Sequence, residues 1–358
     1  MERVIMKKGR FPELEVYGSS REMGRDHGEA CRESIGRFLD LGIEQVNRSS
    51  SLSRTEAMEH AARYIPFVAD YGPDMLEELR GIAEGADISL EEAMFLQVRT
   101  QLMNPPGEGC TAFALEREAT AEGNPLIGQN WDWDPSLEEV CIVLKRYPEG
   151  KPAFMSFTQV GLIAYMGLNS EGISVCMNLL KAQGYRYGVP PYFIVRSICE
   201  QASSEGCVQA AERAHRAMSQ NVLVGTLQGA IDLEMTVGRV AVLSPSPEGR
   251  LTHTNHFLDA DLEACDELVR ELPDTVSRYS RINRMLDDLA AKPSADTMKR
   301  LMADHEGYPS SICRHAGDDP QYGYMTTVAS IIMEPAEGRM HLSRGNPCQN
   351  PYEAYQLD

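Results

Sequence analysis

The sequence lacks the features that would place it in a membrane, secreted or nucleic-acid-binding class. No segment reaches the roughly 20 consecutive apolar residues of a membrane span, and the N-terminal stretch lacks the apolar core of a signal peptide. Lysine and arginine number 34 against 53 aspartate and glutamate residues, and the resulting net charge of -19 argues against a phosphate-binding surface. We therefore expect a cytoplasmic protein that binds neither nucleic acid nor membrane.

The nine cysteines do not have the pattern of a disulfide framework. Their number is odd, their positions are scattered and no two form a C-x-x-C pair. Cys141, Cys176 and Cys199 lie inside apolar runs, where a cysteine is ordinarily a small buried side chain. The distribution is typical of reduced thiols in a cytoplasmic protein.

Four histidines raise the question of a metal site, since imidazole is a common zinc ligand. His253 and His256 fall in one short strand, whose alternation places their rings on opposite faces, and His305 and His315 lie further along the chain. We expect no bound metal and no cofactor. A metal-dependent amidohydrolase that uses this C-terminal half stays as an alternative, which loss of activity with a chelator would distinguish.

The chain changes character near residue 110. Before it, residues 21–46, 53–71 and 89–103 carry apolar side chains at three- and four-residue spacing, with Ser53 and Ser89 as helix caps. After it, short β-type runs are broken by Gly, Pro and Asn, and helical patches return at about residues 191–218 and 262–303. Strands in uninterrupted sets predict an α+β layered protein, folded as a single composite domain over residues 1–358.

One short stretch, PPGEGCTAF at residues 105–113, places a cysteine directly after a turn-forming run and at the start of a predicted strand. Its GEGCTA formally satisfies the dinucleotide fingerprint G-x-G-x-x-A, but that loop must follow a strand and open a helix, and the order here is reversed. The sequence also contains no G-x-S-x-G elbow, no P-loop and no H-E-x-x-H. A Gly-Cys pair at this position is either structural or a nucleophile.

The nucleophile interpretation has a specific physical basis. If the Gly109–Cys110 bond is cut, Cys110 becomes an N-terminal residue whose α-amino group, with a pKa near ~7.7 to 8.0, can accept the proton of its own thiol. Holding base and thiol on one residue removes the cost of assembling them. Gly109 lacks a Cβ and can therefore take the strained backbone geometry that exposes its carbonyl to the thiol.

The sequence resembles the penicillin acyltransferase-like family, which includes the isopenicillin N (acyl-CoA:6-aminopenicillanate) acyltransferases. These are N-terminal nucleophile hydrolases related to the choloylglycine (bile salt) hydrolases. The motif GCTAF is similar to the family's self-cleavage site, which makes Gly109 and Cys110 the cleaved pair and Cys110 the nucleophile. In GQNWDW, Asp132 matches an aspartate that contacts the new α-amino group and the thiol. Gln129 stands where bile salt hydrolases have an arginine, which favours the acyltransferase branch.

Three further motifs follow in the family's order. The resemblance makes Asn178, at the end of GLNSEGISVCMN, a substrate-pocket residue, and Asn255, in HTNHF, an oxyanion-hole donor. In SRYSRINRM, Arg278 matches an arginine directed toward the catalytic centre. The runs DHEGYPSSICRH and GNPCQNP also resemble family signatures, without a role for His305, Arg314 or His315.

Each of these residues also has a structural explanation. Asp132 can cap a turn at a strand end, and Asn178 and Asn255 are ordinary turn formers. Arg278, placed near a predicted helix start, is unfavourable for the helix dipole, so we expect a partner carboxylate, either Asp132 or a surface acid.

The resemblance implies a fold, a maturation step and an activity. The fold is an αββα sandwich of two antiparallel sheets between helical layers, with a helical N-terminal third. Self-cleavage would give residues 1–109 as a helical small chain that stays bound to a catalytic chain of residues 110–358. The Cys110 acyl-enzyme would cleave or transfer an acyl group from a small-molecule amide or thioester, with acyl-CoA as one donor, and a homo-oligomer is compatible with the sequence. The alternatives are a non-cleaving binding module and an amidase of the bile salt or acyl-lactone type.

Overall fold

The N-terminal part of the chain is mostly helical, as the spacing of its apolar residues predicts. The computed structural model describes residues 4–5, 9–103, 109–320 and 323–357. Ser53 and Ser89, both predicted as caps, each close a capping box with the glutamate three residues later, as does Ser19. The described residues before Gly109 form α1 (Ser20–Ala30), α2 (Arg32–Ser50), α3 (Arg54–Ala62), α4 (Ile65–Tyr71), α5 (Pro73–Ala86) and α6 (Leu90–Val98).

The strands of the described residues form two sheets. In strand order, the first sheet contains β1 (Val4–Ile5), β2 (Glu13–Gly18), β5 (Cys141–Pro148), β6 (Phe154–Gln159), β7 (Met166–Asn169), β8 (Ser174–Leu179), β9 (Gln220–Gly225), β10 (Ala230–Met235) and β11 (Val240–Leu243). The second contains β12 (Arg250–His253), β3 (Gly109–Leu115), β4 (Leu126–Trp133), β13 (Thr326–Glu334), β14 (Arg339–Arg344) and β15 (Tyr352–Gln356).

The two sheets face each other, and helices cover their outer faces. Between the sheets, β3 and β4 contact β8. On the first sheet lie α7 (Pro191–Cys199) and α8 (Ser204–Glu212), which contact β7, β8 and β10. On the second lie α10 (Asp274–Asp287) and α11 (Ala295–Leu301), which contact β3, β12 and β13, while the short α9 (Leu268–Glu271) precedes α10. This arrangement confirms the predicted αββα class of α+β proteins.

Two details differ from the sequence expectation. The N-terminal third also contains β2, whose six residues ELEVYG alternate between apolar and polar side chains, and β2 pairs with β5 in parallel. The helical patch predicted to run to residue 218 ends at Glu212 as two helices. Within the described ranges, no helix is both long enough and apolar enough to cross a bilayer.

A buried ion-pair cluster joins the N-terminal helices to the first sheet. Glu78 of α5 accepts from Arg146 Nε of β5 at 2.8 Å and pairs with Arg196 Nη1 of α7, also at 2.8 Å. All three side chains are buried. Removing one partner of such a cluster leaves an uncompensated charge in the interior, so these contacts fix α5 against β5 and α7.

Helices α1 and α5 approach each other through glycines. Gly24 and Gly28 of α1 lie against Gly81 and Gly85 of α5, one turn apart in each helix. A Cβ added to Gly28 would lie 2.4 Å from the Ile82 carbonyl oxygen, closer than real Cβ atoms come to any atom. The glycines therefore permit backbone contact between the helices.

His27, also in α1, is buried and accepts a hydrogen bond from the Gly161 N–H through Nε2 at 3.0 Å. Burial, together with the nearby positive charge of Arg146, lowers the pKa of His27 to about 3. The folded protein thus holds this imidazole neutral through the pH range in which an unfolded histidine takes up a proton.

The close contact between α1 and α5 predicts that two glycine-to-alanine substitutions will differ in their effect on the free energy of unfolding. Gly28→Ala should lower the free energy of unfolding by about 1 to 3 kcal/mol, because the helices must separate. The matched control Gly36→Ala, in α2 with no atom near the added Cβ, should be neutral or stabilise by up to about 1 kcal/mol through helix propensity. Urea unfolding of both variants checks this, and equal effects would contradict the close-packing explanation.

The neutral His27 predicts a pH dependence of stability. Because its folded pKa lies below its unfolded pKa of about 6.5, the unfolded state binds the extra proton, and stability falls by ~1.4 kcal/mol per pH unit as the pH drops from 6.5 toward 3. His27→Gln keeps an acceptor for Gly161 but removes this titration. Between pH 7 and pH 5, the variant should gain about 2 kcal/mol relative to wild type in urea unfolding. Parallel pH profiles would rule this out.

Candidate active site

The pairing of β3 with β4 places Cys110 and Asp132 next to each other. In this antiparallel ladder Gly109 lies opposite Asp132, and Cys110 lies opposite Trp131. The segment GQNWDW therefore lies beside the strand that begins at Gly109. Cys110, Trp131 and Asp132 are all buried.

Two side chains hold the main chain of Cys110. The Cys110 N–H donates to Asn255 Oδ1 at 2.8 Å, and its carbonyl accepts from Arg278 Nη1 at 2.5 Å. Arg278 Nη2 also donates to the same Asn255 oxygen at 3.0 Å. Asn255 and Arg278, which come from separate sequence motifs, thus both contact the main chain of Cys110.

Helix α10 delivers Arg278 and also supplies its carboxylate partner. The helix begins at Asp274, so Arg278 lies in its second turn. Arg278 Nε donates to Asp274 Oδ2 at 2.7 Å, one turn away along the helix. The carboxylate partner expected for Arg278 is therefore Asp274, which is neither Asp132 nor a fully exposed acid.

Asp132 has its own set of partners. Its Oδ1 accepts from Thr327 Oγ1 at 2.7 Å, and its Oδ2 accepts from Arg314 Nε at 3.4 Å. Arg314 Nη2 also donates to Asp274. Asp132, Arg314, Asp274 and Arg278 therefore form a chain of alternating charges beside the Gly109–Cys110 bond.

The two carboxylates of this chain titrate in opposite directions. Burial raises the pKa of Asp132, although Arg314 and Arg278 oppose the shift. Burial would also raise the pKa of Asp274, but Arg278 and Arg314 both contact it and lower that pKa. The two guanidinium groups thus favour the ionised form of Asp274, whereas burial disfavours the ionised form of Asp132.

Gly109 does not have the strained conformation expected from the sequence. It lies in extended β3, outside the positive-φ region that favours glycine. A Cβ at this position would lie 3.3 Å from Asp132 Oδ2 and 3.5 Å from Arg314 Nε. A Cβ here would press on the Asp132 carboxylate, which would have to shift by a few tenths of an ångström.

A cavity of about 460 Å³ lies near Cys110, and two hydrogen bonds through Asn255 connect Cys110 to its lining. Asn255 Nδ2 donates to the carbonyl of Leu179 at 3.2 Å, and Leu179 lines the cavity. This volume falls in the range of small-molecule sites. The remaining lining comes from residues 180–185, from Met218, Ser219 and Glu267, and from Thr100, Gln101 and Met103 at the end of the N-terminal helices.

Asn178 directly precedes the cavity residue Leu179 in β8 and is buried. Its Oδ1 accepts from Asn221 Nδ2 at 3.3 Å, whereas its Nδ2 has no hydrogen-bond partner among the described residues. An unpaired buried donor is costly unless something else accepts from it. Asn178 is thus adjacent to Leu179 in sequence but is not among the residues that line the cavity, since alternation along β8 directs its side chain to the opposite face of the strand.

Three residues of this site were not predicted from the sequence: Asp274, Arg314 and Thr327. The four-residue spacing of Asp274 and Arg278 is the usual signal for a helical ion pair and could have been used. Arg314 lies in the run DHEGYPSSICRH, whose resemblance to the family was noted without a role. Thr327 carries no sequence signal, because only the β13–β4 register places it opposite Asp132.

The predicted histidines do not form one group. His253 Nε2 contacts Glu234 Oε1 at 2.9 Å, and His256 Nδ1 lies 3.0 Å from Thr275 Oγ1, in a separate network. His305 and His315 lie together, with their Nε2 atoms 3.1 Å apart.

The site and the fold together define an αββα protein with a buried cysteine near the start of a central strand. A model of the acyl-coenzyme A:6-aminopenicillanic acid acyl-transferase family matches residues 119–349. That match covers more than half of the chain, so the protein belongs to this acyltransferase family, and the resemblance seen in the sequence is confirmed. The matched range contains Asp132, Asn178, Asn255 and Arg278 but begins after Cys110.

Relatives extend the similarity along the chain. The acyl-coenzyme A:6-aminopenicillanic-acid-acyltransferase 40 kDa form of Emericella nidulans is 28% identical over 345 residues, which cover 95% of this chain and 94% of the relative. An uncharacterized protein of Archaeoglobus fulgidus is 22% identical over 202 residues, covering 47% of this chain and 33% of that protein.

Two solved structures are similar at a greater distance. A single-residue variant of the conjugated bile acid hydrolase from Clostridium perfringens has a TM-score of 0.48 at 14% identity, covering 70% of this chain and 97% of its own. Penicillin V acylase from Agrobacterium tumefaciens has a TM-score of 0.48 at 12% identity, covering 69% and 86%. At TM-scores below 0.5, these similarities add nothing to the conclusions drawn from the site itself.

The contacts of Arg278 predict that lysine cannot replace it. Arg278→Lys should lower the free energy of unfolding by about 3 kcal/mol, because one ammonium cannot reach Asp274, Asn255 and the Cys110 carbonyl together. The matched control Arg284→Lys, in the same helix but in an exposed pair with Glu306, should cost less than about 1 kcal/mol. Urea unfolding of the two variants is the measurement, and equal losses would contradict the assigned contacts.

Proposed function

We propose that the protein is a self-processing cysteine enzyme that cuts its own Gly109–Cys110 bond and then transfers or hydrolyses acyl groups through Cys110. One observation carries this proposal: the main-chain N–H and carbonyl of Cys110 are both held, by Asn255 and Arg278, beside the buried Asp132. A cysteine with only a packing role does not need a buried asparagine and a buried arginine at its main chain, since buried charge is costly.

The geometry supports a cleavage step with a defined course. The Cys110 sulfur attacks the Gly109 carbonyl carbon, the peptide nitrogen leaves as the Cys110 α-amino group, and a thioester joins Gly109 to the sulfur. Water then hydrolyses that thioester, which releases the Gly109 carboxylate and restores the thiol. Asn255 Oδ1, which now accepts from the Cys110 amide, can accept from the new amino group without moving.

The same groups serve turnover. The α-amino group takes the thiol proton and later gives a proton to the leaving amine or thiol. Asp132, whose pKa is raised by burial, lies opposite the cleaved bond and orients that amino group. Asn255 Nδ2 has two hydrogens and donates one of them to the Leu179 carbonyl. The second can be donated to the oxyanion that develops in the transition state. One such donor contributes ~3 kcal/mol in comparable sites.

The cavity lined by Leu179 supports a small-molecule substrate. Its volume suits a small acylated molecule, and its lining mixes apolar side chains such as Met218 with polar ones such as Lys181. Acyl-coenzyme A and 6-aminopenicillanic acid, named for the Emericella nidulans relative, are therefore the first donor and acceptor to test on this chain.

Self-cleavage predicts a specific pattern of masses. Wild-type protein of 39.8 kDa should give two chains of roughly 12 and 28 kDa in denaturing mass spectrometry, the second beginning at Cys110. Cys110→Ala should stay as one chain, because alanine has no nucleophile. Cys207→Ala, a buried cysteine of α8 outside the site, should be cut as wild type.

A second readout follows the chemistry after cleavage. With acyl-coenzyme A, the cut protein should release coenzyme A thiol and carry the acyl mass on the Cys110 chain. Added 6-aminopenicillanic acid should then give an N-acyl product if the enzyme is a transferase, and free acid if it is a hydrolase. An uncut wild-type chain that forms no acyl adduct would reject the proposal and favour a binding module that keeps the fold.

A further inference from the structure

We propose that His305, Cys313, His315 and Cys348 bind one zinc ion, in a site separate from the proposed catalytic centre. Their four ligand atoms, two imidazole nitrogens and two thiol sulfurs, lie within 4.8 Å of one another. The residues come from two segments, 305–315 and the loop that follows β14. The proposal differs from the sequence expectation of no metal, because residues 43 positions apart in the chain give no recognisable ligand spacing.

Three of the six distances between these atoms are close to those around a tetrahedral zinc ion. With Zn–S near 2.3 Å and Zn–N near 2.0 Å, tetrahedral angles separate sulfur from nitrogen by about 3.5 Å and the two nitrogens by about 3.3 Å. In the structure, His315 Nε2 lies 3.6 Å from Cys313 Sγ and 3.5 Å from Cys348 Sγ. The His305 and His315 Nε2 atoms are 3.1 Å apart.

The donor set selects the kind of ion. Two thiolates with two imidazoles form an S₂N₂ set, which suits borderline-soft zinc and is poorly suited to calcium or magnesium. Four protein ligands fill a tetrahedral site and leave no position for water, so the ion has a structural role rather than a catalytic one. On binding, the two thiols release their protons to solvent, because zinc is ligated by thiolate.

Contacts around the cluster hold the ligands in place. Asn346 Nδ2 donates to Cys313 Sγ at 3.5 Å, a contact that stabilises a thiolate, and to the Arg314 carbonyl at 2.6 Å. The main-chain N–H of Cys313 donates to Asp304, and that of His315 donates to Pro309. These bonds fix the backbone on both sides of the ligands. His305 and Cys348 are exposed, which gives an ion a route of entry.

The position of Arg314 gives the proposed site a consequence for the catalytic centre. Arg314 lies between the ligands Cys313 and His315, and its side chain reaches Asp132 and Asp274. A zinc ion would tie the segment that carries Arg314 to the loop of Cys348. Arg314 is then a positioning residue whose backbone is held by the ion.

Metal content tests the site independently of Cys110 cleavage. Protein purified without chelator should contain about one zinc ion per chain, and cobalt titrated into metal-free protein should give the visible absorption of a tetrahedral cobalt–thiolate site. Cys348→Ser should weaken zinc binding by at least about 100-fold and abolish that absorption. Cys265→Ser, a partly exposed cysteine outside the cluster, should behave as wild type.

Three results would overturn the proposal. One is equal zinc content and cobalt absorption in Cys348→Ser and Cys265→Ser, and another is metal-free wild-type protein that takes up neither zinc nor cobalt. The third is a Cys313–Cys348 disulfide in wild-type protein purified with reductant, detected by peptide mass. To separate loss of a ligand from loss of the fold, His305→Gln serves as a second variant at an exposed ligand, with circular dichroism to confirm that each variant is folded.

Discussion

The whole site depends on one constraint: the main chain of Cys110 is held at its N–H by Asn255 and at its carbonyl by Arg278. Asn255 follows β12, the neighbour of β3, and Arg278 comes from the helix that packs on both strands. Arg278 also donates a hydrogen bond to Asn255, so the two side chains that contact Cys110 are linked to each other. The edge of one sheet and its covering helix therefore fix the position of a single peptide unit, and the cavity and the charges are arranged around it.

The pKa values of two carboxylates near that peptide unit, Asp132 and Asp274, are shifted in opposite directions because their surroundings differ. Asp274 contacts two guanidinium groups and stays ionised, which allows Arg278 to be buried without an uncompensated charge. Asp132 has one long contact to a guanidinium, one hydroxyl donor and no exposure to water. Two carboxylates whose surroundings shift their pKa values in opposite directions are a recurrent arrangement in acid–base sites.

The sequence predicted local features well and long-range ones poorly. Caps and helix periodicity follow from short-range patterns, and β3 pairs with β4, the next strand along the chain. Residues 110, 132, 255 and 278 were selected from motifs that resemble those of the family. The parallel contact of β2, the pairing of Thr327 with Asp132 and the approach of His305 to Cys348 each depend on segments far apart in sequence. The sequence indicates a glycine before the nucleophile, but not that this glycine lies against the Asp132 carboxylate, which depends on the pairing of β3 with β4.

The ion-pair cluster of Glu78 has a further consequence for a chain cut after residue 109. Glu78 would belong to the small fragment, whereas Arg146 and Arg196 would belong to the large one. Separation of the fragments would leave two guanidinium groups without their carboxylate and would expose the backbone contact of His27 with Gly161. The two fragments would thus unfold as one cooperative unit, and the peptide bond at 109 would be dispensable for holding the folded molecule together.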